Sequence, residues 1–504
     1  MAMLSELLTG VTVIGTNLPS TDIEIGRLCT NSLEVTEGDA FLCIRGGSHD
    51  GHDFICTAVE RGAALIVCER VTPYLAGNPG VRYIQTPNTR LACSQMWNAL
   101  CGCPGERMIL VAVTGTNGKT STTYFLREIF KAAGYKTGVI GTVRCMVGDR
   151  VDILSDSPES GVNAMTTPAP DKLYTELAKM ADEGVEIVFM EASSHSLTQY
   201  RLDPLHFDLG IFTNLTPEHL DYHRSMEEYY QAKKRLFSLC DAALLNIDDA
   251  SGRRLNRELS ETGMKPVTLS ALSNADYMAK NPQCGDIGGI RFELLERGGL
   301  RRISCPVPGS FTVYNTLTAA SAARMFGIKP DVIASALEAC PQIPGRMERM
   351  PLPEGCDFEI FIDYAHTPDA LENVLRTLSA LKKPDGRLVV LFGCGGDRDR
   401  SKRPVMGRIA TGLADYTIIT GDNSRNENPR AIIYDILHGV VEGSNYKVIE
   451  RRETAIRTAI RDHRPGDLIL LAGKGHEDYE IDEKGKHPFS EKAIIAEALT
   501  ELLE

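Results

Sequence analysis

The sequence predicts an α/β fold in three domains, and three features lead there. Its 504 residues exceed what a single domain of roughly 100–200 residues holds. Short apolar runs recur ahead of helical patterns, the alternation that builds parallel sheets covered by helices. The pattern also breaks twice, at Cys-Gly-Cys-Pro-Gly over residues 101–105 and at the proline-flanked stretch before Gly345. These breaks divide the chain into residues 1–105, 106–343 and 344–504.

The first segment carries short apolar runs at 40–44 and 63–67 among Gly- and Asp-rich turns, which predicts a small α/β module. The second opens with an apolar run at 108–113, the turn Thr114-Gly-Thr-Asn-Gly-Lys-Thr-Ser-Thr-Thr, and then Phe125, Ile129 and Ala132 beside Leu126, Phe130 and Ala133. That order is strand, loop and helix, with Gly134 as the helix stop. Further strands are expected at 187–190 and 209–212, giving a central parallel sheet. The third segment restarts with apolar runs at 358–362, 387–392, 416–420 and 467–471, a second doubly wound pattern.

Composition narrows the function classes. Hydrophobic residues make up 43% and charged residues 24%, ordinary values for a globular chain, so neither disorder nor a membrane class is favoured. A net charge of −13 argues against broad nucleic-acid or membrane-surface binding. The fourteen cysteines include no CxxC pair and no zinc-type Cys/His spacing, and read as reduced, mostly buried thiols. The opening residues lack a basic segment followed by a long apolar stretch, so no secretion signal is expected, and a cytoplasmic location follows.

The loop at 114–123 has the chemistry of a triphosphate grip, although Val113 stands where the usual spacing asks for glycine. Gly115 and Gly118 let backbone amides approach phosphate oxygens while Lys119 brings a positive charge. Thr120 can place its hydroxyl on magnesium, and the following helix adds its N-terminal dipole. Glu191 ends a strand at the sheet edge where open α/β folds bind ligands, and magnesium bound to phosphates is its natural partner. His219, in a segment with two histidines and two acids, is a candidate second-metal ligand.

Lys233 is unusual, because Tyr229, Lys233, Leu236 and Phe237 share one helical face and place an ammonium among apolar groups. Snorkelling, pairing, neutralisation or covalent change would each relieve that cost. In the third segment, Asp363-Tyr-Ala-His-Thr-Pro, Gly393-Cys-Gly-Gly-Asp-Arg, Gly421-Asp-Asn-Ser-Arg and Gly473-Lys-Gly-His-Glu all follow apolar strands. They offer both charge signs to a zwitterionic small molecule. Arg398 replaces the last glycine of a dinucleotide fingerprint, so a nicotinamide cofactor is not indicated.

Together with Thr166-Thr-Pro, Glu191-Ala-Ser-Ser-His-Ser-Leu, His219-Leu-Asp-Tyr-His, Ala232-Lys233 and Gly345-Arg-Met-Glu, these segments resemble the ATP-dependent Mur ligases of peptidoglycan synthesis. Within that family they resemble the enzymes that add the third residue of the stem peptide. The resemblance runs through nearly the whole chain. It implies a UDP-binding first domain, a central ATP-binding domain and a Rossmann-like third domain that binds the incoming amino acid. ATP and Mg²⁺ are implied, with the D-glutamyl carboxylate of UDP-N-acetylmuramoyl-L-Ala-D-Glu activated as an acyl phosphate for attack by a diamino acid.

The same resemblance assigns residues. Gly115, Thr116, Asn117, Gly118, Lys119, Thr120 and Ser121 would hold phosphates, with Asn315, Arg346, Asp363 and His366 at further ATP-contacting motifs. Thr120, Glu191, His219 and Lys233, the last as a carbamate, would hold metal; Lys119, Lys233 and His219 are the catalytic candidates. Ser32 falls to the uridine end, and Thr166, Thr167, Ser193, Gln199 and Arg201 to the muramoyl peptide. Arg398, Asp422, Asn423, Arg425, Gly473 and Glu477 surround the incoming amino acid.

Diaminopimelate-adding relatives usually show Asp-Asn-Pro-Arg, and here Ser424 replaces the proline while Arg425 is kept. An arginine there can clamp the distal carboxylate that diaminopimelate has and lysine lacks. Thr312 and Glu218 are two further departures, from asparagine and aspartate respectively. The implied molecule is a cytoplasmic monomer without nucleic-acid partner or membrane insertion. Three alternatives remain open: a lysine-adding ligase, which would differ around 422–425, a folylpolyglutamate synthase sharing the phosphate loop, and a noncatalytic nucleotide-dependent switch or structural protein.

Overall fold

A computed structural model describes residues 2–18, 21–47, 49–143, 145–152 and 165–503. Three sheets organise it. The N-terminal sheet runs in the order Gly15–Thr16, Tyr83–Gln85, Leu65–Cys68, Ala40–Leu42, Leu28–Cys29, parallel except for its first strand. Leu65–Cys68 is buried throughout because both faces are covered, which is why these strands read as continuous apolar runs rather than alternations. Leu42, Leu65 and Val67 meet Ala92 and Met96 of helix Thr89–Leu100, and Phe41 and Ile66 meet Ile55 and Ala58 on the opposite side. Trp97 of that helix packs against both the N-terminal core and the central core, joining the two.

Among the described residues the central sheet has eleven strands. Seven are parallel, in the spatial order Thr137–Ile140, Ile187–Glu191, Ile109–Thr114, Phe207–Phe212, Cys240–Asn246, Val267–Ser270, Tyr277–Asp286. Helices Lys119–Ala132 and Ser310–Met325 cover one face and helix Pro170–Asp182 the other. Two antiparallel extensions go beyond the parallel pattern read from sequence. Cys145–Val147 and Arg150–Asp152 extend one edge, and Gly289–Glu296 with Gly299–Cys305 extend the other.

The C-terminal sheet has the order Glu348–Arg349, Glu359–Asp363, Leu468–Ala472, Leu388–Phe392, Tyr416–Ile419, Tyr446–Val448, with only the first strand antiparallel. Helices Pro368–Leu381, Lys402–Leu413 and Pro429–Leu437 pack on one face, and Arg452–Arg461 with Glu491–Leu503 on the other. The first of these layers belongs to an apolar cluster that continues through Met347, Ile343 and Val313 into the central domain. Among the described residues no helix is long and apolar enough to cross a membrane. Nine of the cysteines are buried and all fourteen are free thiols.

Candidate functional site

A cavity of about 970 Å³ lies where the carboxyl ends of the central strands meet residues 363–374 and Arg398 of the C-terminal domain. Its floor is the phosphate loop. Strand Ile109–Thr114 ends between the strands of Glu191 and Phe212, and Val113 is a paired, buried strand residue. The conformational demand falls later, at Gly115 with φ 148° and Gly118 with φ 85°. A Cβ at Gly115 would lie 1.9 Å from Thr213 Oγ1, and one at Gly118 would lie 2.3 Å from Asn315 Oδ1. Both positions therefore exclude side chains for two reasons, backbone conformation and space.

Asn214 anchors the loop, accepting from Thr116 N through its carbonyl and from Asn117 N through Oδ1, both at 2.9 Å. Lys119 Nζ donates to Gly115 O at 2.9 Å and Thr116 O at 2.8 Å. Burial pushes the Lys119 ammonium below its ordinary range, while Glu218 and Glu191 act to raise it. Thr116 to Ser121 line the cavity with Asn315, which stands on helix Ser310–Met325.

Glu191 is 1% exposed and accepts from Thr120 Oγ1 at 2.9 Å, Thr142 N at 2.9 Å and Thr142 Oγ1 at 3.0 Å. All three donors are neutral, so the carboxylate charge is left for a cation. Arg346 Nη2 reaches across from the C-terminal domain to Thr120 Oγ1 at 3.2 Å, and its guanidinium lies 4.6 Å from the Tyr364 ring centroid. Asp363 is a scaffold group that accepts from Met347 N at 2.7 Å and Ala365 N at 2.8 Å, and burial raises its pKa.

Lys233 is 1% exposed and lies behind the loop, where Nζ donates to Gly115 O at 2.7 Å and sits 4.5 Å from the Tyr229 ring centroid. Snorkelling is thereby removed as the answer to the burial question. Burial, then the neighbouring Lys119 charge, pushes this amine well below its ordinary range. Tyr229 hydrogen-bonds Thr116 Oγ1 at 3.2 Å and stacks on His223, whose Nε2 lies 2.9 Å from Ser194 Oγ.

His219 has a left-handed backbone, φ 56°, and an imidazole held down at about 4 by burial. Glu218 stands between His219 at 3.7 Å and His366 at 3.6 Å. Burial would raise its carboxyl, but the nearby His366 imidazole and the charges of His219 and Lys119 hold it well below the carboxylate range.

The groups assigned to the muramoyl peptide form one connected network. Thr167 Oγ1 donates to Glu191 O at 2.7 Å and lies 3.1 Å from Ser193 Oγ, while Thr166 Oγ1 lies 3.0 Å from Thr142 Oγ1. Arg201 is 9% exposed, and its donors go to Thr167 O and Gln199 Oε1, each at 2.6 Å. Ser32 is separate: it begins a short helical turn of the N-terminal module and does not line the cavity.

Of the residues assigned to the incoming amino acid, Arg398 lines the cavity, whereas Asp422, Asn423, Arg425, Gly473 and Glu477 do not. Tyr364 OH donates to Glu477 Oε1 at 3.4 Å. Arg425 is left-handed at φ 52°, donates through Nη1 to Gly396 O at 2.9 Å, and leaves its buried Nε without a hydrogen-bond partner. Asp422 and Glu477 are driven apart: burial raises both, but Lys474 and Arg452 bring Asp422 below its ordinary value, whereas Asp422 itself pushes Glu477 further up.

Sequence reasoning passed over Glu218 as a site group, and also Thr142, Tyr229, Asp369 and Lys474. Asp369 accepts from Asn117 Nδ2 at 2.7 Å, tying the C-terminal domain to the phosphate loop. Lys474 stood within a quoted motif, but its partner Asn423 is 51 residues away in sequence, so nothing local marked it. Thr142 had none, since a single threonine after a strand is ordinary.

Fold and site define a phosphate-loop α/β protein whose cavity closes against a second, Rossmann-like domain. The chain belongs to the Mur ligase family. The Mur ligase middle domain matches residues 113–323, the Mur ligase glutamate ligase domain residues 345–475, and the Mur ligase family catalytic domain residues 24–99. A Clostridioides difficile protein named UDP-N-acetylmuramoyl-L-alanyl-D-glutamate--2,6-diaminopimelate ligase is 38% identical over 99% of this chain and 100% of its own. A Bacillus velezensis protein of the same name is 40% identical over 95% of each. A solved structure of an enzyme so named aligns with TM-score 0.68 and 28% identity over 100% of this chain and 99% of its own. Mycobacterium tuberculosis folylpolyglutamate synthase aligns over 76% of this chain and 92% of its own at TM-score 0.61 and 18% identity, a likeness of fold.

Proposed function

We propose that this chain is an ATP-dependent amide ligase that joins meso-2,6-diaminopimelate to UDP-N-acetylmuramoyl-L-Ala-D-Glu in the cytoplasm, acting as a monomer. The observation that carries the reading is convergence. The phosphate loop, the Thr120–Glu191 pair and Arg201 face Arg346, His366 and Arg398 across one cavity. In this reading nucleotide and acidic acceptor share one space, with Arg398 at the side from which the incoming amine approaches, as transfer through an acyl phosphate requires.

In this reading the loop amides and Lys119 hold the phosphates of ATP, and Arg346 offsets charge on the transferring phosphoryl group. Arg201, with Thr167 and Ser193, orients the D-glutamyl end, and Ser32 meets the uridine end. The carboxylate takes the phosphoryl group, the amine attacks the carbonyl carbon, and phosphate leaves. Asp422 and Glu477 receive the ammonium side of the diamino acid, while Arg398 and Arg425 receive its distal carboxylate.

Mg²⁺ fits the oxygen donors of Thr120 and Glu191, whose buried charge lacks a cationic hydrogen-bond donor, and when bound it neutralises phosphate charge and orients oxygens. His219 and Lys233 are assigned to a second ion. The depressed amine of Lys233 suits reaction with CO₂, in which the uncharged nitrogen would bond the carbon, release a proton and become an anionic oxygen ligand.

The test supplies ATP, Mg²⁺, the UDP-muramoyl dipeptide and equimolar diaminopimelate and lysine, and weighs the product. A tripeptide precursor carrying diaminopimelate, with one ADP per amide, is expected. A product carrying only lysine overturns the acceptor assignment, and ADP release indifferent to both acceptor and amine overturns the ligase.

A further inference from the structure

We propose that Lys474 is the positioning residue of the acceptor amino-acid site, the group through which Asn423 and Arg425 are held in register. The proposal rests on the reading of these loops as the diamino-acid site. Lys474 has no exposed surface. Its Nζ donates to Asn423 Oδ1 at 2.9 Å and to Tyr479 O at 2.8 Å, with Asp422 Oδ1 at 3.8 Å and Glu477 Oε2 at 3.9 Å.

One ammonium thus stands at the junction of three segments: the loop after strand Tyr416–Ile419, the loop after strand Leu468–Ala472, and the hairpin Tyr479–Asp482/Gly485–Pro488. The Asn423 side chain is spent on this junction. Its Oδ1 accepts from Lys474 and from Ile481 N at 3.0 Å, and its Nδ2 donates to Glu477 Oε2 at 2.8 Å. The hairpin then holds Arg425, whose backbone N–H donates to Ile481 O at 3.0 Å. That bond supports the left-handed conformation that aims the guanidinium toward Gly396, a conformation an arginine rarely adopts unaided. Removing the ammonium leaves Asp422 and Glu477 facing each other without their shared cation, and leaves the Ile481 bonds to Asn423 and Arg425 to hold the hairpin on the loop alone.

The experiment uses full-length Lys474→Met and Lys474→Arg with ATP, Mg²⁺ and the UDP-muramoyl dipeptide, and either diaminopimelate or hydroxylamine as nucleophile. Hydroxylamine captures an acyl phosphate without an amino-acid site. For Lys474→Met, hydroxamate formation and the KM for ATP are expected within twofold of the parent, with the KM for diaminopimelate raised at least tenfold. Lys474→Arg keeps the charge but not the compact geometry, and an increase of at least threefold is expected. It decides the matter should the methionine variant not fold. A diaminopimelate KM within twofold of the parent, or hydroxamate lost in step with amide, overturns the proposal. Absence of hydroxamate from the parent protein instead removes the ligase reading, and this proposal with it.

Discussion

The phosphate loop and the acceptor loops both stand at the carboxyl ends of parallel strands, yet they are shaped by opposite means. The first is shaped by missing atoms, with Gly115 and Gly118 giving room to Thr213 and Asn315. The second is shaped by buried charge. Lys474 ties Asn423 to the hairpin, Arg452 pairs with Glu491 at 2.8 Å and donates to Ala472 O, and Arg403 pairs with Glu427 at 2.9 Å and Asp435 at 2.8 Å. A loop of the first kind tolerates no added atom, and a loop of the second kind tolerates no lost partner. The two should therefore fail differently, the first in nucleotide handling and the second in choice of amine.

The largest effect is expected from Lys119→Ala. Its ammonium bonds only loop carbonyls in this structure, so little stability should go with it. The kcat/KM for amide formation should fall on the order of 10²–10³-fold, as for loss of one preorganised charge-stabilising donor. A continuous ADP-release assay measures this, and a variant retaining a third of the parent rate would break the comparison at its strongest point.

Gly115→Ala comes next. Its methyl would need space 1.9 Å from Thr213 Oγ1 and 3.1 Å from Asn214 N, on a backbone at φ 148°. Overpacking of this kind costs about 1–3 kcal/mol, which corresponds to roughly 5–150-fold in nucleotide Kd if the strain appears on binding. Titration calorimetry with ADP reads it directly. An unchanged affinity would mean that the glycine serves folding rather than the nucleotide.

The floor beneath the loop gives a pH dependence. His223 is 3% exposed, and its imidazole is held at about 4 by burial and then by His195 and Lys233. The unfolded chain takes up a proton below its ordinary value of 6.5, whereas the folded chain resists until about 4. This contribution is fully present above that ordinary value and is lost as pH falls toward the depressed one, on the order of 2–3 kcal/mol in all. Thermal midpoints of the parent and His223→Gln compared across that window should converge as pH falls. Parallel curves would show that the stack on Tyr229 is indifferent to charge.

The same contrast explains what could be read in advance. The phosphate loop was legible because its determinants are contiguous, glycines and lysine within one turn between a strand and a helix. The burial of Lys233 was legible because helical spacing places it with Tyr229, Leu236 and Phe237. The charged junctions were not, since Lys474 and Asn423 lie 51 residues apart and only the fold brings them together. The antiparallel edges were missed for another reason. Residues such as Arg301 and Arg302 face solvent on the edge strand Gly299–Cys305, so the apolar signal of a strand is diluted there. Glu218 was noticed as a departure, but its place between two histidines of different domains follows from domain contact alone.

The smallest effect, and the sharpest for specificity, is expected from Arg425→Lys. The substitution keeps a positive charge but removes the planar fork that can take both oxygens of a carboxylate, along with the Nε that has no partner within the protein. The new ammonium can still reach Gly396 O or a bound carboxylate, so folding and nucleotide affinity should be unchanged. The KM for diaminopimelate should rise by roughly tenfold, about 1.4 kcal/mol, and discrimination against lysine should fall by the same factor. Competition between the two amino acids, read by product mass, measures the ratio without needing either constant. If the ratio holds while both KM values rise together, Arg425 acts on the shared α-amino-acid end of the substrate. The distal carboxylate is then held by Arg398, which lines the cavity.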